Sequence, residues 1–246
     1  MKHPYHQLIL ESQSKSQKEF KARGSSVTRC INCLMAEFAC FCQWKVNISS
    51  SLHFVLIMHS KELYKPTNSG RLIADLFPHS TNIFLWSRTD IDQRLISILS
   101  DKARQPILLF PETEPTNQQQ TQAISLGSTD NTVANNKPIT LILLDGTWNQ
   151  AARMARLSPW LKNIPRLAIE PNTNDTYIRQ AASKQQLSTA QAASYALNYF
   201  GETQNANVLR HYFSVFNHHC VATRANKTPT ITSSHDFLTQ LPTKMQ

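Results

Sequence analysis

The sequence predicts an α/β protein, with a mostly parallel β-sheet flanked by helices and a small cysteine-rich module near the N-terminus. Three observations favour this fold class. Apolar runs of strand length, rich in β-branched and aromatic residues, recur along the chain. Stretches with apolar residues at three- and four-residue intervals lie between them, and strands that alternate with helices form parallel sheets. Four of the five cysteines fall within thirteen residues.

The apolar runs predict five strands, at residues 52–58, 81–86, 106–110, 139–144 and 166–169. Their nearly continuous apolar character is typical of strands that are buried on both faces of a parallel sheet. Helical periodicity predicts helices at residues 68–76, 91–103, 148–157 and 189–200. With 246 residues, 41% of them hydrophobic, the chain can bury one sizeable core.

The chain divides into four predicted segments. Residues 1–27 form a polar, flexible N-terminal segment, 28–50 the cysteine-rich module, 51–223 the α/β domain, and 224–246 a polar C-terminal tail that is mobile or adds phosphate contacts. Residues 113–137 are rich in Thr, Gln, Asn and Ser with few apolar anchors, which predicts a surface insertion.

Charge and hydropathy limit the classes of partner. No apolar run approaches the roughly 18 residues of a membrane-spanning helix, and no signal-peptide segment is present, so we expect a cytoplasmic protein without membrane association. Lys and Arg number 25 against 16 Asp and Glu, a formal net charge of +9. This excess suits a polyanionic partner such as nucleic acid, and ordinary solubility explains it equally well.

The cysteine cluster consists of Cys30, Cys33, Cys40 and Cys42. In a reducing cytoplasm these thiols should not pair as disulfides, and four soft thiolates at these separations can close a tetrahedral metal site. We predict a structural zinc ion, with unligated thiols or an iron–sulfur cluster as the alternatives. Cys220 stands apart, which is typical of a small buried residue.

Residues that follow the strands are the candidate functional residues, because ligands of parallel α/β sheets bind beyond the carboxyl ends of the strands. After the first strand, Asn68 and Ser69 can cap a helix whose free amides suit a carboxylate or phosphate, and Gly70 would let a ligand approach the backbone. The structural alternative is a well-capped strand-to-helix turn.

The strand at 139–144 has the most informative end. Asp145 follows it directly, Gly146 stands where the backbone must turn, and Thr147 and Trp148 open a helix. In a purely structural interpretation Asp145 caps that helix and Trp148 lies in the core. In a functional interpretation Asp145 binds a cationic group or accepts a proton, and Trp148 stacks on an adenine or a base.

Two further segments belong with these candidate functional residues. Phe110, Pro111 and Glu112 end the strand at 106–110, although proline alone explains that ending. Ser188 and Thr189 begin the last predicted helix, where free backbone amides either face a ligand or simply start an amphipathic helix.

In these motifs the chain resembles the DTW-domain family, named for an Asp-x-Thr-Trp signature that Asp145, Thr147 and Trp148 match. The cysteine cluster, the block at 59–72, the Leu-Phe-Pro-Glu segment at 109–112 and the Leu-Ser-Thr segment at 187–189 occur in the family's order, so the resemblance spans about residues 28–200. The chain departs from the family at Gln191, where a glutamate is usual, and in the length of the insertion at 113–137.

The resemblance implies a SPOUT-like catalytic domain over 51–223, with a C-terminal trefoil knot that binds S-adenosylmethionine. It also implies a tRNA-uridine aminocarboxypropyltransferase, as bacterial members are. Such an enzyme moves the 3-amino-3-carboxypropyl group to N3 of a uridine and releases 5′-methylthioadenosine. A SPOUT-like RNA methyltransferase and a zinc-ribbon RNA-binding module without catalysis are the alternatives.

For that reaction we predict Asp145 as the catalytic base or as a group that orients the substrate. The residues expected to bind S-adenosylmethionine are Asn68, Ser69, Gly70, Phe110, Pro111, Leu144, Asp145, Gly146, Thr147, Trp148, Leu187, Ser188 and Thr189. The basic residues expected to contact tRNA phosphates are Lys65, Arg71 and Arg153, with Lys45, Lys61 and Arg156 as further candidates. No obligate protein partner is inferred.

Overall fold

A computed structural model describes residues 3–15, 27–110, 137–169 and 187–241. Five parallel strands form one sheet in the order β2-β1-β4-β3-β5. The strands are β1 His53–Met58, β2 Thr81–Leu85, β3 Gln105–Leu109, β4 Ile139–Asp145 and β5 Arg166–Leu167. The α/β class and all five predicted strands are confirmed.

Strand β4 occupies the centre of the sheet, between β1 and β3, and every one of its residues is buried. Its continuous apolar sequence follows from this position, because helices cover both faces of the sheet. The register pairs Met58 at the end of β1 with Asp145 at the end of β4. The segments that follow these two strands therefore leave the sheet side by side.

The helices are α1 Pro4–Lys15, α2 Arg71–Leu76, α3 Gln93–Leu99, α4 Trp148–Arg156, α5 Thr189–Tyr199, α6 Thr203–Ala225 and α7 Ser233–Thr239. Helices α2 to α5 confirm the four predicted from periodicity. The long helix α6 was not predicted. It packs against α2, α5 and α7, and polar residues such as Tyr212 and His219 on its buried face hide its periodicity.

Within the N-terminal segment that was predicted to be flexible, residues Pro4–Lys15 form α1. Tyr5 and Leu8 are buried in the main core, and the Tyr5 hydroxyl donates to the backbone carbonyl of Leu63. Tyr5 and Leu8 lie three residues apart and therefore on one face of the helix, and the helix packs on α2 and β2. Residues 1–2 and 16–26 lie outside the described part of the chain.

The cysteine-rich module and the C-terminal tail both join this core. Cys33, Met35 and Phe41 belong to the same apolar cluster as the sheet and α6. In the predicted C-terminal tail, α7 packs on α6 and His235 is 1% exposed. A second apolar cluster, on the other face of the sheet, contains residues of α3 and α4.

Three predictions fall wholly or partly on residues that are not described. Pro111 and Glu112 lie outside the described ranges, as does the insertion at 113–137 except for its last residue. The trefoil knot stays a prediction, because residues 170–186 between β5 and α5 are not described. Within the described ranges, no helix has the length and apolar character needed to cross a membrane.

Candidate functional site

The carboxylate of Asp145 lies at the end of β4, where three loops meet. Its Oδ2 accepts a hydrogen bond from Asn68 Nδ2 at 2.5 Å, and its Oδ1 accepts one from the Thr189 hydroxyl at 2.6 Å. The backbone N–H of His59 donates to the Asp145 carbonyl at 2.9 Å. The structure thus brings together the loop after β1, the loop after β4 and the start of α5.

Local sequence explains why these loops hold their positions. The Asn68 side chain accepts a hydrogen bond from the backbone N–H of Arg71 at 3.0 Å, which aims its NH2 group at Asp145. Ser188 caps α5 in a capping box with Gln191, and this places Thr189 at the first turn. A neutral glutamine therefore forms the capping box at the position where a glutamate is usual.

Asp145 is not the cap of α4. Thr147 caps that helix, accepting a hydrogen bond from the backbone of Gln150 in a second capping box. The interpretation of Asp145 as the cap of this helix is therefore wrong. Its carboxylate remains available for another role, although only 2% of the residue is exposed.

Gly70 makes room for the Asp145 carboxylate. A Cβ atom added at Gly70 would lie 2.6 Å from Asp145 Cγ and from Oδ1, closer than side-chain atoms pack. The predicted close approach at this glycine is therefore real, but the approaching group is Asp145. Asn68 and Ser69 beside it are buried as well.

We expect Gly70→Ala to displace the Asp145 carboxylate and to destabilise the fold by about 1–3 kcal/mol, the usual cost of overpacking. A double-mutant cycle with Asp145→Ala tests this by chemical denaturation. Removing Asp145 Cγ removes the clash, so Gly70→Ala should lower the unfolding free energy clearly less in the Asp145→Ala background than in the wild type. Additive effects would show that the added methyl group is accommodated without moving Asp145.

Burial raises the pKa of Asp145 to about 6, against an ordinary value of 3.8. The hydrogen bonds from Thr189 and Asn68 oppose this effect, while the nearby charge of Glu62 adds to it. Glu62 is itself buried and forms an ion pair with Lys65 at 2.5 Å. A carboxylate with a pKa near neutrality is suited to general-base work.

Aromatic rings follow four adjacent strands: His59, Trp86 and Phe110 come directly after β1, β2 and β3, and Trp148 comes three residues after the end of β4. The rings of His59 and Trp86 lie 6.2 Å apart at 17°, and those of Phe110 and Trp148 lie 6.3 Å apart at 40°. Trp148 is half-buried, so it is not a core residue.

Trp86 is a candidate site residue that the sequence interpretation missed. Its indole N–H donates to the hydroxyl of the buried Ser158 at 3.0 Å, which fixes the ring orientation. Its place directly after a strand was a usable signal, because the same rule singled out Asp145.

The remaining predicted ligand-binding residues have these positions. Phe110 and Leu144 are buried, Leu187 and Ser188 are half-buried, and Thr147 is exposed. A Cβ on Gly146 would lie 3.6 Å from the Cβ of His59, so this glycine is next to the loop after β1.

The predicted phosphate contacts divide into three groups. Lys61, Arg153 and Arg156 are exposed. Lys65 and Lys45 are engaged in ion pairs with Glu62 and Asp75. The prediction for Arg71 is wrong, because this residue is 1% exposed and its guanidinium donates to the backbone carbonyl of Cys33.

The four clustered cysteines form a site that could hold a metal ion, with all four sulfur atoms within 4.8 Å of one another. The sulfurs of Cys30 and Cys42 are 3.6 Å apart, and those of Cys33 and Cys40 are 3.7 Å apart. Thiolates at about 2.3 Å from a tetrahedral zinc ion lie about 3.8 Å from one another, so the arrangement fits zinc. A hydrogen bond from Cys42 lowers the pKa of Cys33, which favours a thiolate there.

Comparison with known proteins matches the model of the DTW domain to residues 27–221 of the 246-residue chain. The match runs from the cysteine cluster through the sheet into α6. No solved structure matches the chain.

Proposed function

Because the chain belongs to the DTW domain family, the family of tRNA aminocarboxypropyltransferases, we propose that it forms 3-(3-amino-3-carboxypropyl)uridine in tRNA. The donor is S-adenosylmethionine, and 5′-methylthioadenosine is the second product. A tetrahedral zinc ion held by Cys30, Cys33, Cys40 and Cys42 supports the fold, and the reaction takes place in the cytoplasm. The observation that carries the proposal is the buried Asp145 carboxylate at the point where three loops meet.

Asp145 acts as the general base. N3 of uridine carries a proton that must leave as the new bond forms, and a carboxylate whose pKa is raised to about 6 accepts it more readily than an ordinary aspartate. The N3 electron pair then forms the bond to the γ-carbon, and the electron pair of the broken carbon–sulfur bond goes to sulfur. Asn68 and Thr189 hold the carboxylate in one orientation throughout.

The loops around Asp145 hold the donor. S-adenosylmethionine supplies an activated γ-carbon beside its positively charged sulfur, so the protein mainly has to position the reacting groups. The first backbone amides of α5 have no acceptor within the helix and can donate to the amino-acid carboxylate, and the ring of Trp148 offers a face to the adenine.

The uridine binds at the same edge of the sheet, beyond the ends of β1 and β2. Strand β1, which precedes His59, is adjacent to the strand of Asp145, and β2, which precedes Trp86, is the next strand along the sheet. The rings of His59 and Trp86 offer a surface on which a base can stack. The exposed Lys61 and Arg153 raise the positive potential near His59. They suit the phosphates that flank an unpaired nucleotide.

The direct test incubates the purified protein with S-adenosylmethionine and unmodified tRNA. The RNA is then digested, and its nucleosides are weighed by mass spectrometry. The proposal predicts a uridine heavier by one aminocarboxypropyl group, together with free 5′-methylthioadenosine. A methylated base would identify a methyltransferase on the same fold, and tRNA binding without any modified base would favour an RNA-binding module.

The rate of transfer should rise with pH through a midpoint near 6, the raised pKa of Asp145, because only the deprotonated carboxylate can accept the N3 proton. Single-turnover rates measured from pH 5 to 8 check this, with tRNA binding measured at each pH as the control. A rate that stays flat across this range would remove Asp145 as the base.

A further inference from the structure

The side chain of Arg71 is a buried cation at the first turn of α2, with 1% of the residue exposed. Its Nη2 donates to the Cys33 carbonyl, and the guanidinium carbon lies 5.8 Å from the ring centre of Phe41 and 5.7 Å from that of Phe216. Its Nε and Nη1 have no hydrogen-bond partner within the described ranges. A cation buried in this way needs a compensating negative charge.

Asp75 interacts electrostatically with Arg71 but does not supply that charge alone. Asp75 forms ion pairs with His3 at 3.1 Å and Lys45 at 3.3 Å, and it accepts a hydrogen bond from Tyr212 at 3.2 Å. Burial would raise the pKa of Asp75, but the His3 hydrogen bond and the nearby positive charges outweigh it and lower that pKa. Within the described ranges, no carboxylate lies at ion-pair distance from Arg71.

The cysteine cluster can provide the missing charge. A divalent ion bound by four thiolates carries a net negative charge, and Cys33, whose carbonyl accepts the hydrogen bond from Arg71, contributes one of the four sulfurs. We propose that Arg71 is the counter-charge of this metal–tetrathiolate centre and a positioning residue that ties the centre to the loop holding Asp145.

The positioning role of Arg71 follows from a continuous series of hydrogen bonds, and it rests on the proposed function. The guanidinium of Arg71 binds Cys33, and the backbone N–H of Arg71 binds the Asn68 side chain, whose NH2 group holds Asp145 Oδ2. When the metal is lost, Arg71 loses its counter-charge, and the loop at 68–70 loses its attachment to the cysteine module. The Asp145 carboxylate is then no longer held in position.

The test measures zinc release from the full-length zinc-loaded protein into an excess of a chromogenic chelator. In Arg71→Met we expect release about tenfold faster than in the wild type or more, as is typical when an outer partner of a metal site is removed. Tyr212→Phe is the matched control, because it removes a buried hydroxyl that donates to Asp75 and is not part of the hydrogen bonds that join Cys33, Arg71, Asn68 and Asp145. It should release zinc at the wild-type rate.

Arg71→Lys keeps a positive charge, and it is the variant to measure if Arg71→Met does not fold. It should release zinc within about threefold of the wild-type rate, a smaller effect than loss of the charge. The counter-charge role would be overturned if folded Arg71→Met released zinc at the wild-type rate. It would also be overturned if Arg71→Lys released zinc about tenfold faster than the wild type or more. This measurement does not depend on transferase activity, so it separates failure of this inference from failure of the proposed function.

The positioning role is tested by kinetics. We expect kcat to fall in Arg71→Met and in zinc-depleted wild type, because the Asp145 carboxylate is displaced. KM for S-adenosylmethionine should stay close to the wild-type value, because the start of α5 and Trp148, which are proposed to bind the donor, lie outside the 68–70 loop. An unchanged kcat in a variant that loses zinc rapidly would overturn the positioning role.

Discussion

Asp145→Asn is expected to abolish aminocarboxypropyl transfer and, at neutral pH, to make the folded protein more stable. The amide keeps the contacts of the carboxylate, because its oxygen can accept from Asn68 and its NH2 can donate to Thr189. It cannot accept the N3 proton. General-base catalysis contributes about 100- to 10,000-fold, and the rate should fall by at least that much.

The gain in stability depends on pH in a definite direction. The folded state raises the pKa of Asp145 from 3.8 to about 6, so the protonated form is favoured by folding and the ionised form is disfavoured. The stabilising contribution of the protonated group is complete below pH 4 and is lost as the pH rises towards 6. Above pH 6 the ionised carboxylate costs roughly 3 kcal/mol, which the asparagine variant avoids.

Urea denaturation of both proteins from pH 4 to 8 measures this difference. The unfolding free energies of wild type and variant should be close at pH 4 and should separate by about 1–3 kcal/mol at pH 7. Asp75→Asn is the matched control with the opposite sign. The pKa of Asp75 is lowered by folding, so its replacement should destabilise the protein at pH 7, with the loss fading as the pH falls. A less stable Asp145→Asn variant at pH 7 would contradict the proposed environment of Asp145.

The second large effect concerns the metal site. Cys33→Ala is expected to prevent stable metal binding and to lower the unfolding free energy by several kcal/mol, about 10 °C or more in Tm for a chain of this size. The reason is that Cys33 lies in the same apolar cluster as the sheet, together with Met35 and Phe41. Loss of the metal would therefore loosen part of the main core.

Cys220→Ala provides the matched control, because it also removes a buried thiol from the main core but lies outside the cluster of four cysteines. Differential scanning calorimetry of both variants, with and without a strong chelator, makes the comparison. The wild type and Cys220→Ala should lose stability when the chelator is added, whereas Cys33→Ala should not respond. Equal stabilities of the two variants would show that a bound metal contributes nothing to the fold.

Much of the fold and of the site could be predicted because both depend on local pattern. A strand buried on both faces must be apolar along its length, so 139–144 indicated a central strand before its neighbours were known. Parallel strands end at one edge, so residues after the strands at 52–58 and 139–144 had to lie close together. Asp145 and the loop at 68–70 were found in this way.

Other roles could not be predicted, because they depend on contacts between distant parts of the chain. Arg71 follows a helix-start motif as a phosphate-binding residue would, and only packing against Phe41 and Phe216 shows that it is buried. Gly70 indicated a close approach, but the approaching group is 75 positions further along the chain. The polar N-terminal segment gave no sign that Tyr5 reaches the core.

The sequence by itself determined the α/β class, the strands and the edge of the sheet at which the chemistry is expected. Periodicity and strand ends are properties of neighbouring residues, so they can be predicted without the fold. Only the tertiary structure decided that Asp145 is buried between Asn68 and Thr189, and that the cysteine cluster shares the main core. The physical reason is that burial, and with it the pKa of a carboxylate or the counter-charge of a cation, is set by groups that the chain brings together only when it folds.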